Sequence, residues 1–254
     1  MSTWREVLAD TTAALNDPRE ARFICEHAAG LGAAEFALSL EELVTQRMGL
    51  HVHDMVRRRL AGEPLQYVMG RWAFRHLDVL VDPRVLIPRP ETEFVAEVAL
   101  GFAREATESR LVVDLGTGSG VIGLSMAHEL PIIGTTVWLT DVSPDALDVA
   151  RANLAGIGRA GANVRIGQGS WYDALPGDVQ GLVDVIVSNP PYIATDDPEL
   201  SQAPQWLRGG GALVLEIGHR QGDSVRALLT DSGLRDVEIR RDLAGRERVA
   251  IARR

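Results

Sequence analysis

Leu111-Val112-Val113-Asp114-Leu115-Gly116-Thr117-Gly118-Ser119-Gly120 is the stretch from which the fold can be read. Five residues of a short, mostly apolar strand run into a turn with three glycines, and helical spacing from about Ser119 to Glu129 follows. Glycines suit a turn that lets a ligand approach the N-terminus of the next helix. A dinucleotide fingerprint requires glycine at the first, third and sixth positions of this run. The sixth is Val121, so that match fails and only the pattern Asp114-x-Gly116-x-Gly118-x-Gly120 remains.

Working outward, further strands are predicted at Thr136–Thr140, Val164–Gly167, Val183–Ser188, Ala212–Ile217, Val237–Arg240 and Arg248–Ala252, with helices at Pro144–Ala155 and Arg220–Leu229. Seven apolar strands alternating with helices predict an α/β fold, a doubly wound and mostly parallel sheet covered on both faces. Upstream, residues 1–66 read as a small helical domain. Thr3-x-x-Glu6, Asp17-Pro18-x-Glu20 and Ser39-x-x-Glu42 each set a capping side chain three residues before a carboxylate. Apolar positions then recur at helical spacing, including Leu40, Leu43 and Val44. Residues 67–93 change to a strand-like rhythm with a turn at Arg75-His76, a β-hairpin and linker that ends in two prolines and a helix starting near Glu91. Residues 94–254 form the α/β domain.

Composition bounds the function. The 254 residues are 46% hydrophobic and 24% charged, which is globular, and no apolar run reaches the length of a membrane helix. The opening Met-Ser-Thr-Trp-Arg-Glu has no secretory pattern, so a cytoplasmic chain is expected. Cys25 is the single cysteine, which excludes an internal disulfide and a thiolate metal cluster. All 26 basic residues are arginine, so no lysine nucleophile exists. A net charge of −9 argues against direct nucleic-acid binding, whose affinity is mostly phosphate neutralisation. His51-x-His53 has no carboxylate or cysteine support and begins a predicted helix, so no metal site is expected.

Three further features carry chemistry. Asp141 ends the second strand, where an acidic side chain points into the ligand crevice and accepts from ribose hydroxyls; the alternative is a cap for the helix at Pro144, a role that suits Ser143 better. Ser170 and Trp171 follow the third strand, and Trp171 either stacks on an adenine ring, the reading favoured here, or closes the core. Asn189-Pro190-Pro191-Tyr192 follows the fourth strand. Its prolines force a rigid extended loop at the strand's carboxyl end, and such a loop offers the Asn189 amide oxygen and the Pro190 carbonyl as two fixed acceptors for an NH₂ group. Tyr192 would add an aromatic wall that also favours a sulfonium cation.

With these residues placed, the glycine loop resembles that of S-adenosylmethionine (SAM) methyltransferases, and the chain resembles the release factor glutamine methyltransferase family (PrmC, also called HemK). The likeness is carried by Gly62-Glu63-Pro64-Leu65-Gln66-Tyr67, Leu86-Ile87-Pro88-Arg89-Pro90-Glu91-Thr92-Glu93, the Asp114 loop and Asn189–Tyr192. It implies a Rossmann-like SAM-methyltransferase sheet, and SAM held at Asp114, Gly116, Thr117, Gly118, Ser119, Gly120, Asp141, Ser170, Trp171 and Asn189, with no metal. It implies that Asn189, Pro190, Pro191 and Tyr192 grip the glutamine of a Gly-Gly-Gln motif in peptide chain release factors, with Asn189, Pro190 and Tyr192 as the catalytic set. The helical domain would help dock that protein substrate, which ties the chain to translation termination.

Two departures stand out. Family members commonly carry aspartate where this chain has Ser170. The stretch from Ile193 to Gly211 is also shorter than the family pattern, which has a longer loop with an acidic Glu-Pro element and most of a crossover helix; what remains makes only a short helix. If that loop is a true loss, SAM binding should survive better than catalysis. Two rival readings follow: an amino-methyltransferase acting on nucleic acid with the same Asn-Pro-Pro-Tyr loop, and a SAM-binding protein inactive through its shortened loop.

Overall fold

The computed structural model describes residues 2–106, 109–190 and 199–254. They fall into two compact units, Met1–Arg71 and Trp72–Arg254.

The first unit is helical: α1 (Trp4–Leu15), α2 (Pro18–Ala29), α3 (Ala33–Leu38), α4 (Gln46–Leu60) and α5 (Leu65–Met69). Thr3 and Glu6 close a capping box at α1, and the Asp17 carboxylate accepts from the amides of Arg19 and Glu20 at α2. The Glu20 side chain instead pairs with Arg59 at 2.7 Å. No helix starts at Ser39. That residue is the C-cap of α3, and Leu40, Glu42 and Val44 are drawn into backbone hydrogen bonds with residues 2–5, while the Thr45 hydroxyl accepts from Met48 N–H and begins α4. His51 and His53 consequently lie inside α4. Trp4, Ile24, Phe36, Val52 and Met55 form the core of this unit. Tyr67–Met69 is helical where a strand-like rhythm was expected, because α5 closes at Gly70 in the left-handed conformation before the hairpin begins.

The second unit opens with a hairpin, β1 (Arg71–Phe74) and β2 (Leu77–Leu80), joined through Arg75-His76 as expected. Then come α6 (Pro90–Glu105), β3 (Arg110–Leu115), α7 (Val121–Glu129), β4 (Thr135–Asp141), α8 (Pro144–Gly156), β5 (Val164–Gln168), β6 (Val183–Ser188), α9 (Ala203–Trp206), β7 (Leu207–Glu216), α10 (Gly222–Asp231), β8 (Arg235–Arg241) and β9 (Glu247–Arg253). The sheet order is β5-β4-β3-β6-β7-β9-β8, parallel except that β9 runs antiparallel to both its neighbours. The expected doubly wound, mostly parallel seven-stranded sheet is therefore present. α7 starts two residues later than predicted, because Gly118 and Gly120 are left-handed. β7 starts five residues earlier than predicted, through an irregular register against β6. The connection from β6 back to β7 has only a three-residue 3-10 turn and the four-residue α9 among its described residues.

Candidate active site

The register of the sheet lines up the candidate residues. Gly167, Thr140, Leu115, Ser188 and Leu215 pair side by side across five adjacent strands. One residue further along stand Asp141, Gly116, Asn189 and Glu216, so the carboxyl ends of β4, β3, β6 and β7 present their chemistry along one edge. The order reverses at β3, whose neighbours are β4 and β6. Ligands of open α/β sheets bind at such a switch point.

The glycine loop is built for close approach. Gly116, Gly118 and Gly120 have φ of 67°, 55° and 87°, a region that side chains rarely adopt. A Cβ on Gly116 or Gly118 would meet nothing within 4 Å, so open space lies against this backbone. Asp114 anchors the loop from beneath: one carboxylate oxygen accepts from Thr117 Oγ1 at 2.6 Å and from Gly123 N–H at 2.9 Å. Its other oxygen is buried with no hydrogen-bond partner among the described residues. Burial pushes the Asp114 carboxyl up to about 7, against the hydrogen bonds from Thr117 and Gly123. Once ionised, a buried carboxylate oxygen with no partner suits a ligand that brings a donor or a positive charge.

Asp141 reaches the loop. Its Oδ2 accepts from Gly118 N–H at 2.9 Å and its Oδ1 from Ser143 N–H at 2.9 Å. Ser143 provides the side-chain cap of α8, which leaves Asp141 half-buried at the crevice. The Gly169 amide donates to the Asp141 carbonyl at 3.1 Å, drawing the β5 turn alongside. Trp171 has φ 46°, an outlier for a bulky residue. Its ring packs, partly buried, against the main core, and Ser170 precedes it at the same turn. Strain of this kind clusters where a ligand is held.

Asn189 and Pro190 leave β6 beside a cavity of about 320 Å³, lined also by Arg89, Glu216, His219 and Arg248. Pro191 and Tyr192 lie outside the described residues. Asn189 Nδ2 donates to Thr92 Oγ1 at 3.4 Å, and that hydroxyl donates to Glu216 Oε2 at 2.7 Å. The sequence pattern places Thr92 within the proline-flanked motif and Glu216 within a strand, and marks neither for the site. A carboxylate closing an apolar strand was the available signal for Glu216. Asn153 was missed too: from α8 its Nδ2 donates to the carbonyls of Leu80 and Ser119, at 3.0 and 2.8 Å, and its Oδ1 accepts from Leu80 N–H at 2.7 Å. One buried amide thus ties the hairpin to the glycine loop. Among the described residues no group of three or more His, Cys, Asp or Glu stands ready for a metal, and no helix is long and apolar enough to cross a membrane.

A switch-point glycine loop, an acid at the end of the next strand and an Asn-Pro at the end of the fourth define the chain as a SAM-dependent methyltransferase. The comparisons agree. The Methyltransferase small domain model matches residues 99–232 and the PrmC N-terminal domain model residues 4–70. The chain belongs to the release factor glutamine methyltransferase family. It is 39% identical to a release factor glutamine methyltransferase of Bordetella pertussis, covering 98% of both chains, and 33% identical to that of Escherichia coli, covering 98% of this chain and 96% of the other. A solved SAM-dependent O-methyltransferase from Thermotoga maritima shares the fold, with a TM-score of 0.54 at 17% identity over 67% of each chain. The Bordetella comparison runs over 278 positions and takes in 98% of the 254 residues here, so nearly thirty of its positions face no residue of this chain.

Proposed function

We propose that this protein transfers a methyl group from SAM to the glutamine side-chain nitrogen of the Gly-Gly-Gln motif in a peptide chain release factor, in the cytoplasm. The observation that carries the reading is Asn189-Pro190 at the carboxyl end of β6, across the switch point from the glycine loop. SAM supplies an electrophilic methyl group on a sulfonium centre. Asp114, Gly116 to Gly120 and Asp141 would hold its amino-acid and ribose parts, and Ser170 and Trp171 its adenine. The open space against Gly116 and Gly118, and the unpartnered oxygen of Asp114, are features such a ligand would fill.

An amide nitrogen is a weak nucleophile, because its lone pair is delocalised into the carbonyl. Asn189 Oδ1 and the Pro190 carbonyl would accept its two protons and aim it, with Pro191 and Tyr192 forming the wall of the groove. Positioning of this kind is worth about 7–11 kcal/mol at best, and no strong base is needed, since the alkylated nitrogen sheds its proton readily. Residues 1–66 would dock the release factor. The test is to incubate the protein with SAM and an unmodified bacterial release factor and map the Gly-Gly-Gln peptide by mass spectrometry. A methyl group on that glutamine, absent with Asn189→Ala while SAM still binds, is the expected result. The short connection after β6 favours one second reading, a SAM-binding protein without turnover, and intact SAM binding with no methylated glutamine would select it.

A further inference from the structure

Asn189, Thr92 and Glu216 come from three different elements: the end of β6, the first turn of α6 and the last residue of β7. Thr92 and Glu216 are only 2% and 6% exposed, so their hydrogen bonds have little competition from water. A hydroxyl owns a single proton. While Thr92 gives it to the Glu216 carboxylate, Thr92 Oγ1 can only accept, so the Asn189 amide must turn its NH₂ towards Thr92 and keep Oδ1 free as an acceptor. A protonated Glu216 carboxyl reverses the chain. It donates to Thr92, the hydroxyl donates to Asn189 Oδ1, and the amide is left presenting NH₂, which cannot accept from another NH₂.

We propose that Thr92 and Glu216 are positioning residues that set which way the Asn189 amide faces, with ionised Glu216 holding Oδ1 free for the substrate's NH₂ group. The inference deepens the glutamine-methylation reading and rests on it for the identity of that NH₂. The charged groups around Glu216 make its ionisation adjustable. Burial pushes its carboxyl up, the Thr92 hydrogen bond and Arg248 pull it down, Glu91 from α6 raises it and Arg89 lowers it. His219 and Arg220 line the same cavity. The folded protein therefore loses the productive orientation as pH falls through a value above the ordinary glutamate range.

The direct test is a pH titration of the Asn189 side-chain amide by ¹⁵N NMR, the signal being assigned by its absence in Asn189→Asp. The expected result is a resonance that moves on the acid side in the native protein and stays still in Glu216→Gln and Thr92→Val. Glu216→Gln keeps His219, so an equal movement in that variant would trace to the imidazole and overturn the proposal, as would a native amide that does not titrate. Kinetics supply the second arm. Thr92→Val should lower kcat about tenfold, the weight of a hydrogen bond to a charged group, with KM for the release factor little changed. Thr92→Ser should restore it, and Glu216→Gln should flatten the acid limb of kcat. A Thr92→Val variant that raises KM alone, or that Thr92→Ser fails to rescue, overturns the positioning role. An amide that titrates as expected in a protein that methylates no release factor leaves the orienting device standing and sinks the substrate instead.

Discussion

Asp114 lies buried at the glycine loop, with one carboxylate oxygen unpartnered among the described residues. Its carboxyl is raised from 3.8 to about 7, so the folded state keeps a proton that the unfolded chain has already released. Asp114 therefore destabilises the protein increasingly as pH rises from about 4 to about 7. Denaturant unfolding at about pH 5 and about pH 7.5 should show Asp114→Asn gaining on the native protein at the higher pH; an equal difference at both would sink the assignment. Gly123 is a second case. A Cβ there would lie 2.1 Å from Leu139 Cδ2 and 3.1 Å from the Asp114 side chain, inside a packed core. Alanine is the better helix former, yet overpacking costs about 1–3 kcal/mol. Gly123→Ala should therefore lower Tm, and a Tm at or above that of the native protein would show that α7 can shift.

At the scale of elements, the hairpin and α6 depend on side chains far apart in the chain. Arg75, left-handed at φ 51°, bonds both oxygens of Glu129 at 2.6 and 2.8 Å and Glu97 at 2.6 Å, and its own amide donates to Glu93 at 3.1 Å. Arg75 and Glu129 are each nearly buried, so losing the guanidinium leaves Glu129 without its main partner. Arg75→Ala should cost about 3 kcal/mol, measured by urea unfolding, and Arg75→Lys should recover only part of it, because the bidentate fork is lost. Glu129 is held below the ordinary carboxylate range, chiefly by Arg75, so this contribution is present above the unfolded value and fades as pH falls through the folded one. Asn153→Ala severs the tie between β2 and the Ser119 carbonyl. It should destabilise by about 2 kcal/mol and weaken SAM binding measured by calorimetry, since the glycine loop loses a support. Unchanged SAM affinity would show that the loop holds its shape without Asn153.

For the whole molecule, the connection from β6 to β7 decides most. A parallel crossover is usually made by a helix, whereas the described residues of the 18-residue connection from Ser188 to Leu207 form only a 3-10 turn and the four-residue α9. The core survives this: Leu200, Ala203 and Trp206 still cover the sheet beside β7, with Tyr172 stacked on Trp206 at 5.5 Å between ring centroids. The proposed SAM contacts on β3, β4 and β5 lie away from this connection, so on the proposed reading a shorter connection should fall on substrate handling. Inserting the corresponding segment of the Bordetella relative after Tyr192 should raise release-factor methylation at least about tenfold with SAM affinity unchanged. A chimera that binds SAM more tightly but turns over no faster would move the defect to the cofactor site.

Local chemistry made much of this protein readable in one dimension. Short apolar runs bounded by turn signals suit a sheet buried on both faces, the three glycines suit a turn, and Pro190-Pro191 can only leave a strand, so the order of elements and the Asp114, Asp141 and Asn189 positions were all expected from the sequence. Ser39 and Tyr67 show the limit. Each has a locally plausible pattern, and pairing with residues 2–5 in one case and closure of α5 at Gly70 in the other overrides it. The Thr92–Glu216–Asn189 chain and the Asn153 tie were decided by tertiary structure alone. Their partners stand 124, 97 and 73 residues apart, and no local preference encodes a hydrogen bond that exists only once helix and strand have packed and excluded water.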